Sequence, residues 1–203
     1  CQRGSTITNA DDDEYLADGW ILQSEFGSNA ITYTKETTTI PTPGRSAMKL
    51  TVVGADKKFG IFQPIASEDT YPYIDTGGTV HLSLSFDAAQ GSGDKIASIY
   101  GAIVSWDGTA DTITSDIVDS WGDSATAPTL ITSPDDWRYE GNTPVSLGTP
   151  VVAYTRYKVE GVAVNTASVK NIGVFIWQND TTEVDAGDFL LISNVMLNVG
   201  KLA

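Results

Sequence analysis

The stretch "GTVHLSLSFDAAQG" (residues 78–91) alternates strictly between apolar and polar side chains. The apolar positions are Val80, Leu82, Leu84, Phe86 and Ala88. The polar positions are Thr79, His81, Ser83, Ser85 and Asp87. Successive side chains of a strand point to opposite faces of a sheet. The alternation therefore predicts a β-strand with one face in the core and one face in water.

Eight further segments are rich in β-branched and aromatic residues and are bounded by Gly, Pro, Asn or Asp, which is typical of strands. They are residues 19–25, 29–37, 46–54, 58–66, 95–106, 151–161, 169–179 and 188–200. "NIGVFIW" (171–177) is apolar on both faces, which predicts a central strand covered on both sides. Gly101 lies inside the segment 95–106 and is typical of a bulge. We expect an all-β fold, a two-sheet antiparallel β-sandwich of the jelly-roll type.

Residues 107–149 differ from the rest of the chain. They are rich in Gly, Pro, Asp, Ser and Thr, which favour turns and loops. We interpret them as a long loop-rich central insertion, with short strands such as "LITS" (130–133), in a single domain that spans residues 1–203. So long a loop is uncommon unless it is functional or holds small elements of its own.

The charge balance excludes some partners. The chain has 26 acidic and 12 basic residues and a net charge of −14. An acidic surface repels nucleic-acid phosphates and anionic membranes, so we expect neither partner. Neutral glycans, or basic patches on other proteins, suit such a surface. The sequence has no apolar run of the roughly 20 residues that a membrane helix needs.

Two short motifs hint at catalysis. Asp75-Thr76-Gly77 is the tripeptide of aspartic proteases, whose chemistry needs two such aspartates, and this chain has one copy. Gly122-Asp123-Ser124 is similar to the nucleophile block of GDS-type esterases. The single histidine, His81, precedes that serine on a regular strand, so no base is placed to activate it. We therefore predict no enzymatic activity and no catalytic residues.

Other polar residues have more than one interpretation. The carboxylates of residues 11–14 could hold a structural calcium ion or form a solvated acidic loop. We expect no other cofactor and no other metal. His81 could line a ligand groove, contact a subunit or lie on the free surface.

Four aromatic residues in or beside the insertion are the candidate ligand-binding residues: Trp106, Trp121, Trp137 and Tyr139. Aromatic rings have a flat apolar face that suits stacking on a sugar ring or packing in an interface. Glycan contact and subunit contact are two interpretations. The third is that the rings pack inward and close one end of the sandwich.

Several short elements follow one another in a characteristic order. They are "QRG" (2–4), Asp18-Gly19-Trp20, the strand Ser46–Leu50, an aromatic strand around Gln63, Leu84-Ser85-Phe86, and a hydrophobic last strand that ends near Gly200. This order resembles a jelly-roll domain that recurs in virion proteins of tailed bacteriophages. Its plan is also similar to jelly-roll carbohydrate-binding modules. The resemblance covers most of the chain except about 107–149, and "FDAAQ" (86–90) and Asn198 depart from the family's usual pattern.

The resemblance implies a non-enzymatic structural protein at the virion surface, either a fibre domain or a capsid-decoration protein. Its partners would be other virion proteins, host-surface glycans, and copies of itself, with a homotrimer favoured. The alternative is a carbohydrate-binding module of a secreted or cell-surface protein. A hydrolase that uses Asp75 or Ser124 is a third hypothesis with little support. We expect further residues to precede Cys1 in the native protein, because "QRG" already belongs to the resembling fold and leaves no tether for a lipid on that cysteine.

Overall fold

Two antiparallel sheets stacked face to face form the protein in the computed structural model. The structure describes residues 6–54, 58–69, 79–122, 126–132, 137–165, 168–179 and 184–200. Thirteen strands and one short 3₁₀ turn, Ala17–Gly19, have defined bounds in this part of the chain. The predicted all-β sandwich with its loop-rich central insertion is confirmed.

One sheet has six strands. In spatial order they are β1 (Thr6–Ala10), β3 (Ile31–Glu36), β4 (Ala47–Val52), β13 (Phe189–Val199), β6 (Thr79–Gln90) and β11 (Thr155–Asn165). The other sheet has five strands: β10 (Trp137–Tyr139), β7 (Tyr100–Trp106), β12 (Asn171–Gln178), β5 (Phe59–Ile65) and β2 (Ile21–Ser24). A small separate pair joins β8 (Val118–Ser120) to β9 (Thr129–Leu130).

All nine predicted strands are present, and their positions differ in instructive ways. β1 was missed because its residues "TITNA" carry few large apolar side chains. β7 begins only at Tyr100, and the predicted bulge at Gly101 is wrong because β7 pairs with β12 without a register shift. Gly101 is instead needed for packing, because a Cβ at this position would lie only 3.0 Å from the Phe86 ring in the core. β11 extends beyond its predicted end through a bulge at Gly161, whose φ of +65° favours glycine.

The burial predicted from the alternation in β6 is correct for the side chains that face the core. It is wrong for most of the side chains predicted to face water. Leu82, Leu84 and Phe86 are buried between the sheets as predicted. Ser83 and Ser85 are also buried, and so is Asp87, the third polar residue along that face. These polar groups have partners: Ser83 Oγ donates to the Gly200 carbonyl at 2.6 Å, and the Asp87 carboxylate pairs with the Arg156 guanidinium at 2.6 Å. Distant parts of the chain therefore satisfy the polar face that local sequence assigned to water.

The apolar residues form two main clusters on either side of the five-stranded sheet. The first lies between the two sheets and receives Ile172, Val174 and Ile176 from β12. The second lies on the outer face of the five-stranded sheet and receives Phe175 and Trp177 from the same strand. All eight residues of β12 are buried, as a central strand covered on both sides requires. The described part of the chain contains no helix with the length and hydropathy of a membrane span.

Candidate functional site

The outer face of the five-stranded sheet is the candidate site, because it gathers a large cluster of aromatic side chains. Seven of them form one cluster: Phe62, Tyr100, Trp106, Trp137, Tyr139, Phe175 and Trp177. Their rings stack closely. Trp177 lies 4.5 Å from Phe175 and 5.2 Å from Tyr100 between ring centroids, both in stacked geometry. We call this set the aromatic face.

Two glycines form the floor of the aromatic face. A Cβ on Gly60 would lie 2.6 Å from the Cβ of Trp177 and 2.7 Å from the Ile176 carbonyl oxygen. A Cβ on Gly173 would collide with the ring of Phe62. Both strands pair in unbroken register here. The missing side chains therefore let the large rings lie against the backbone of the sheet.

The central insertion lies over the aromatic face. Residues 107–122 and 126–132, which we call the cover, place Ile117 and Leu130 into the same cluster and pack Ile113 and Trp121 against it. Trp121 contacts the edge of Phe175 at 6.3 Å between centroids. Although the insertion is rich in loop-forming residues, it contains a few apolar residues, and these bury the outer face of the sheet.

Buried amides hold the cover in place. Gln23 is fully buried on β2, where its Nε2 donates to the Ser115 carbonyl at 2.8 Å and its Oε1 accepts from the Ile117 amide at 3.0 Å. On β12, Asn171 Nδ2 donates to the Asp111 carboxylate at 2.7 Å, and Asn171 Oδ1 accepts from the Asp111 amide at 2.9 Å. Each pair satisfies groups on both partners, which makes the attachment specific as well as stable.

Two aromatic residues also bond to the cover. Trp106 Nε1 donates to the Thr109 carbonyl at 3.1 Å, and the Tyr139 hydroxyl donates to the Pro128 carbonyl at 2.9 Å. Burial raises the pKa of Tyr139 well above its usual range. The hydroxyl therefore stays protonated and keeps its role as a donor to the cover.

The four candidate ligand-binding residues all belong to this arrangement, in two different positions. Trp106 and Trp137 are 3% and 1% exposed and touch each other beneath the cover. Trp121 and Tyr139 are half-buried at its margin. They pack on the outer face of one sheet and not at an end of the sandwich. With the cover in place only Trp121 and Tyr139 have surface for a ligand, and the binding role of all four stays a prediction.

The sequence analysis did not assign Phe62, Tyr100, Phe175 and Trp177 to the same site. A usable signal was present, because Tyr100 and Trp106 are an even number of positions apart in one strand and must share a face. The aromatic members of β12 also share one face. What no local pattern indicates is which strand lies next to which.

Two buried indole groups lack hydrogen-bond partners. Within the described residues, neither Trp137 Nε1 nor Trp177 Nε1 donates to any acceptor. Leaving a buried donor unpaired costs about 1–3 kcal/mol. Packing of the rings therefore stabilises the aromatic face, whereas the unpaired indole donors destabilise it. A hydrogen-bond acceptor that entered the face would remove this destabilisation.

A shallow groove of about 440 Å³ follows the margin of the cover, lined by Ala127, Pro128, Leu130, Tyr139 and Thr143 among others. It is the place where the half-buried ring of Tyr139 reaches the surface.

The remaining candidates from the sequence are His81, the two catalysis-like motifs and a metal site. His81 is exposed at the start of β6. Residues 75–77, with the protease-like tripeptide, lie outside the described residues, as do Asp123 and Ser124 of the esterase-like motif. The described residues contain no group of three or more His, Cys, Asp or Glu side chains arranged to hold a metal ion.

The acidic segment 11–14 is a hydrogen-bonded turn and is less solvated than its charge suggests. Asp12 Oδ1 accepts from the Ser24 amide at 2.6 Å, and Asp13 Oδ1 accepts from Gln23 at 3.3 Å. Burial raises the pKa of Asp12 to about 6, with a smaller contribution from the charge of Asp116. Burial also raises the pKa of Asp13 to about 6, assisted by the charges of Asp12 and Asp116.

These raised pKa values predict a stability that falls with rising pH. A carboxyl whose pKa is higher in the folded state binds its proton more tightly there, so its stabilising effect is complete below about pH 3.8 and is lost as the pH rises through about 6. After allowance for solvent screening, we expect a loss of about 1 kcal/mol per group. Asp13→Asn keeps the acceptor oxygen and should flatten this slope. Urea unfolding from pH 4 to 7, with EDTA present, measures it.

Asp69→Asn is the matched control because Asp69 is exposed. It should leave the slope unchanged. A wild-type stability that rises between pH 4 and 6 by an amount that Asp13→Asn removes would contradict the assignment.

Comparison with known proteins places the fold. The chain is similar to the enzymatically active domain of tailspike protein 4 of bacteriophage CBA120, with a TM-score of 0.51 and 13% identity over 95% of this chain. It spans only 21% of that longer chain. It is also similar to a xylan-binding domain of carbohydrate-binding module family 22 (TM-score 0.46, 8% identity, 95% of this chain and 94% of that one).

A further similar structure is the C-terminal family 22 carbohydrate-binding module from Clostridium thermocellum, with a TM-score of 0.47 and 9% identity over 98% of both chains. No protein-family model and no curated protein matches the sequence. At these identities the likeness concerns the fold alone. The chain thus shares its β-sandwich fold with part of a phage tailspike protein.

Proposed function

We propose that the chain is a non-enzymatic structural domain of a phage particle, a surface fibre domain or a capsid-decoration protein. It docks on other virion proteins, assembles with copies of itself, and contacts glycans on the host surface. The acidic surface, with its net charge of −14, suits a protein held at high local density outside the cell.

One observation carries this proposal. The resembling segments within the described residues belong to the sandwich: they fall on the 3₁₀ turn at Ala17–Gly19 and on β4, β5, β6 and β13, whereas "QRG" (2–4) lies outside the described residues. The part outside the resemblance, about 107–149, supplies the cover and β10, which lie on one face of that sandwich. The arrangement supports a common virion scaffold to which this chain has added its own outer layer.

Immunoelectron microscopy with an antibody against this domain tests the proposal on intact phage particles. We expect regular labelling of fibres or of the capsid surface, and light scattering of the purified chain should give the mass of a homo-oligomer, a trimer above all. Unlabelled particles together with a stable monomer would contradict it.

A carbohydrate-binding module of a secreted or cell-surface protein is the second candidate, and the aromatic face favours it. Two rings at the margin of the cover are half-buried and present a flat apolar surface that suits sugar contact. The rings at the margin, Trp121 and Tyr139, would make that contact first. Affinity electrophoresis in soluble polysaccharides, with Trp121→Ala beside the wild type, separates the candidates: retardation lost in the variant, together with particles free of label, would favour the module.

A further inference from the structure

A polar notch of about 360 Å³ lies on the opposite side of the five-stranded sheet from the aromatic face, beside the turn Asp18-Gly19-Trp20. β3 and β4 of the six-stranded sheet form one wall, with Tyr33, Lys35 and Met48. Gln63 of β5 lies on the other side. The notch therefore opens between the two sheets and shares no residue with the aromatic face or its cover.

The first polar group at the notch is the hydroxyl of Tyr33. Its side chain is 1% exposed and packs in the core between the sheets. Within the part of the chain that the structure describes, the hydroxyl has no hydrogen-bond partner, although it lies at the surface of the notch. The hydroxyl is therefore positioned to donate to a group that enters the notch.

The second polar group at the notch is the ammonium of Lys35. Its side chain is half-buried, and no described carboxylate forms an ion pair with it, although the chain carries 26 acidic residues. The ammonium of Lys35 thus keeps its donors available to whatever enters the notch.

Gln63 supplies an acceptor. Its Nε2 donates to the Asp18 carbonyl at 2.8 Å, which fixes the amide and holds the turn against β5. Among the described residues no donor reaches Oε1, so this oxygen remains available on the same side. Met48, which is half-buried, adds apolar surface beside these polar groups.

The charge around the notch distinguishes between ligand classes. The pKa of Tyr33 is raised by burial and, to a lesser degree, by the negative charge of Asp18. An anionic group placed beside the Tyr33 hydroxyl would meet the same unfavourable charge. A neutral polyhydroxylated ligand avoids it, since its hydroxyls can accept from Tyr33 or Lys35 and donate to Gln63.

We propose that this notch is a saccharide-binding site, in which Tyr33 and Lys35 donate to sugar hydroxyls, Gln63 accepts from one, and the half-buried Met48 contacts the apolar side of the ring. The proposal rests on the glycan contact of the proposed function and locates it away from the aromatic face. It makes the Asp18-Gly19-Trp20 turn part of the binding site as well as of the fold.

Titration of the ¹⁵N-labelled chain with neutral monosaccharides (glucose, galactose, mannose and N-acetylglucosamine) tests the proposal by NMR. At millimolar concentrations, at least one sugar should shift the backbone amides of Tyr33, Lys35 and Gln63 and the indole of Trp20. Lys35→Met should weaken that sugar about tenfold, the loss expected for a hydrogen bond from a charged donor. Tyr33→Phe, which removes only the hydroxyl, should weaken it about fivefold.

Lys49→Met is the matched control, because Lys49 is the adjacent basic residue on β4 and lies over the Phe189 ring at 3.9 Å, outside the notch. It should leave the affinity unchanged. Shifts confined to Trp121 and Tyr139 would overturn the notch while retaining glycan contact. Absence of shifts with every sugar would also overturn it. Neither result bears on attachment to particles, which the antibody labelling measures separately.

Discussion

The Gly60→Ala variant should lose about 3 kcal/mol of unfolding free energy, the upper part of the range for an added methyl group in a packed core. The new Cβ would lie 2.6 Å from the Cβ of Trp177 and 2.7 Å from the Ile176 carbonyl, so part of the collision is with backbone that cannot rotate away. Relief requires β5 and β12 to separate, and their pairing holds the centre of the five-stranded sheet. Urea denaturation measures the loss.

Gly27→Ala provides the control for that result. Gly27 is exposed and has no atom within 4 Å of the position where a Cβ would stand. Its replacement should leave stability unchanged or slightly increased, because alanine restricts the unfolded chain. Equal stability of the two variants would show that the aromatic rings do not lie against the backbone at Gly60.

The Gln23→Met variant should lose about 3 kcal/mol and loosen the cover. Methionine keeps the length of the side chain but leaves the Ser115 carbonyl and the Ile117 amide without their buried partner. Each unpaired buried group costs about 1–3 kcal/mol. Hydrogen exchange of the Ile117 amide should accelerate with the loss of stability.

Gln63→Met is the matched control, since Gln63 makes a single hydrogen bond, to the Asp18 carbonyl at an exposed position. We expect a change of less than about 0.5 kcal/mol for a substitution at such a site. If Gln23→Met were equally mild, the cover would not be held by its buried amide.

The sandwich could be predicted because its signals are local. The alternation of β6 and the two apolar faces of "NIGVFIW" depend only on the period of a strand, and both place their core residues correctly. The burial of Asp87 could not be predicted in this way. Its partners, Arg156 and Asn194, are 69 and 107 residues away in sequence, so the polar face of β6 is completed by chain that its own pattern does not describe.

Only some residues of the candidate site, namely Trp106, Trp121, Trp137 and Tyr139, could be predicted from the sequence, and their arrangement could not. Composition marked 107–149 as unusual and singled out its aromatic residues, which do lie together. The position of the cover depends on contacts such as Gln23 with Ser115, which are separated by 92 residues. The notch could not be predicted from the sequence for a related reason. Tyr33 and Lys35 have the pattern of ordinary strand residues, and only the tertiary structure places the Asp18-Gly19-Trp20 turn beside them.

Exchange of the tryptophan indole protons, followed by NMR in deuterated buffer, tests most directly whether the aromatic face is closed. No acceptor among the described residues reaches the buried indole protons of Trp137 and Trp177, so their protection from solvent depends on burial beneath the cover. They should exchange as slowly as the backbone amides of β12, whereas the half-buried Trp121 exchanges at once. Rapid exchange at Trp137 and Trp177 while the β12 amides remain protected would contradict the account and would identify an open aromatic platform.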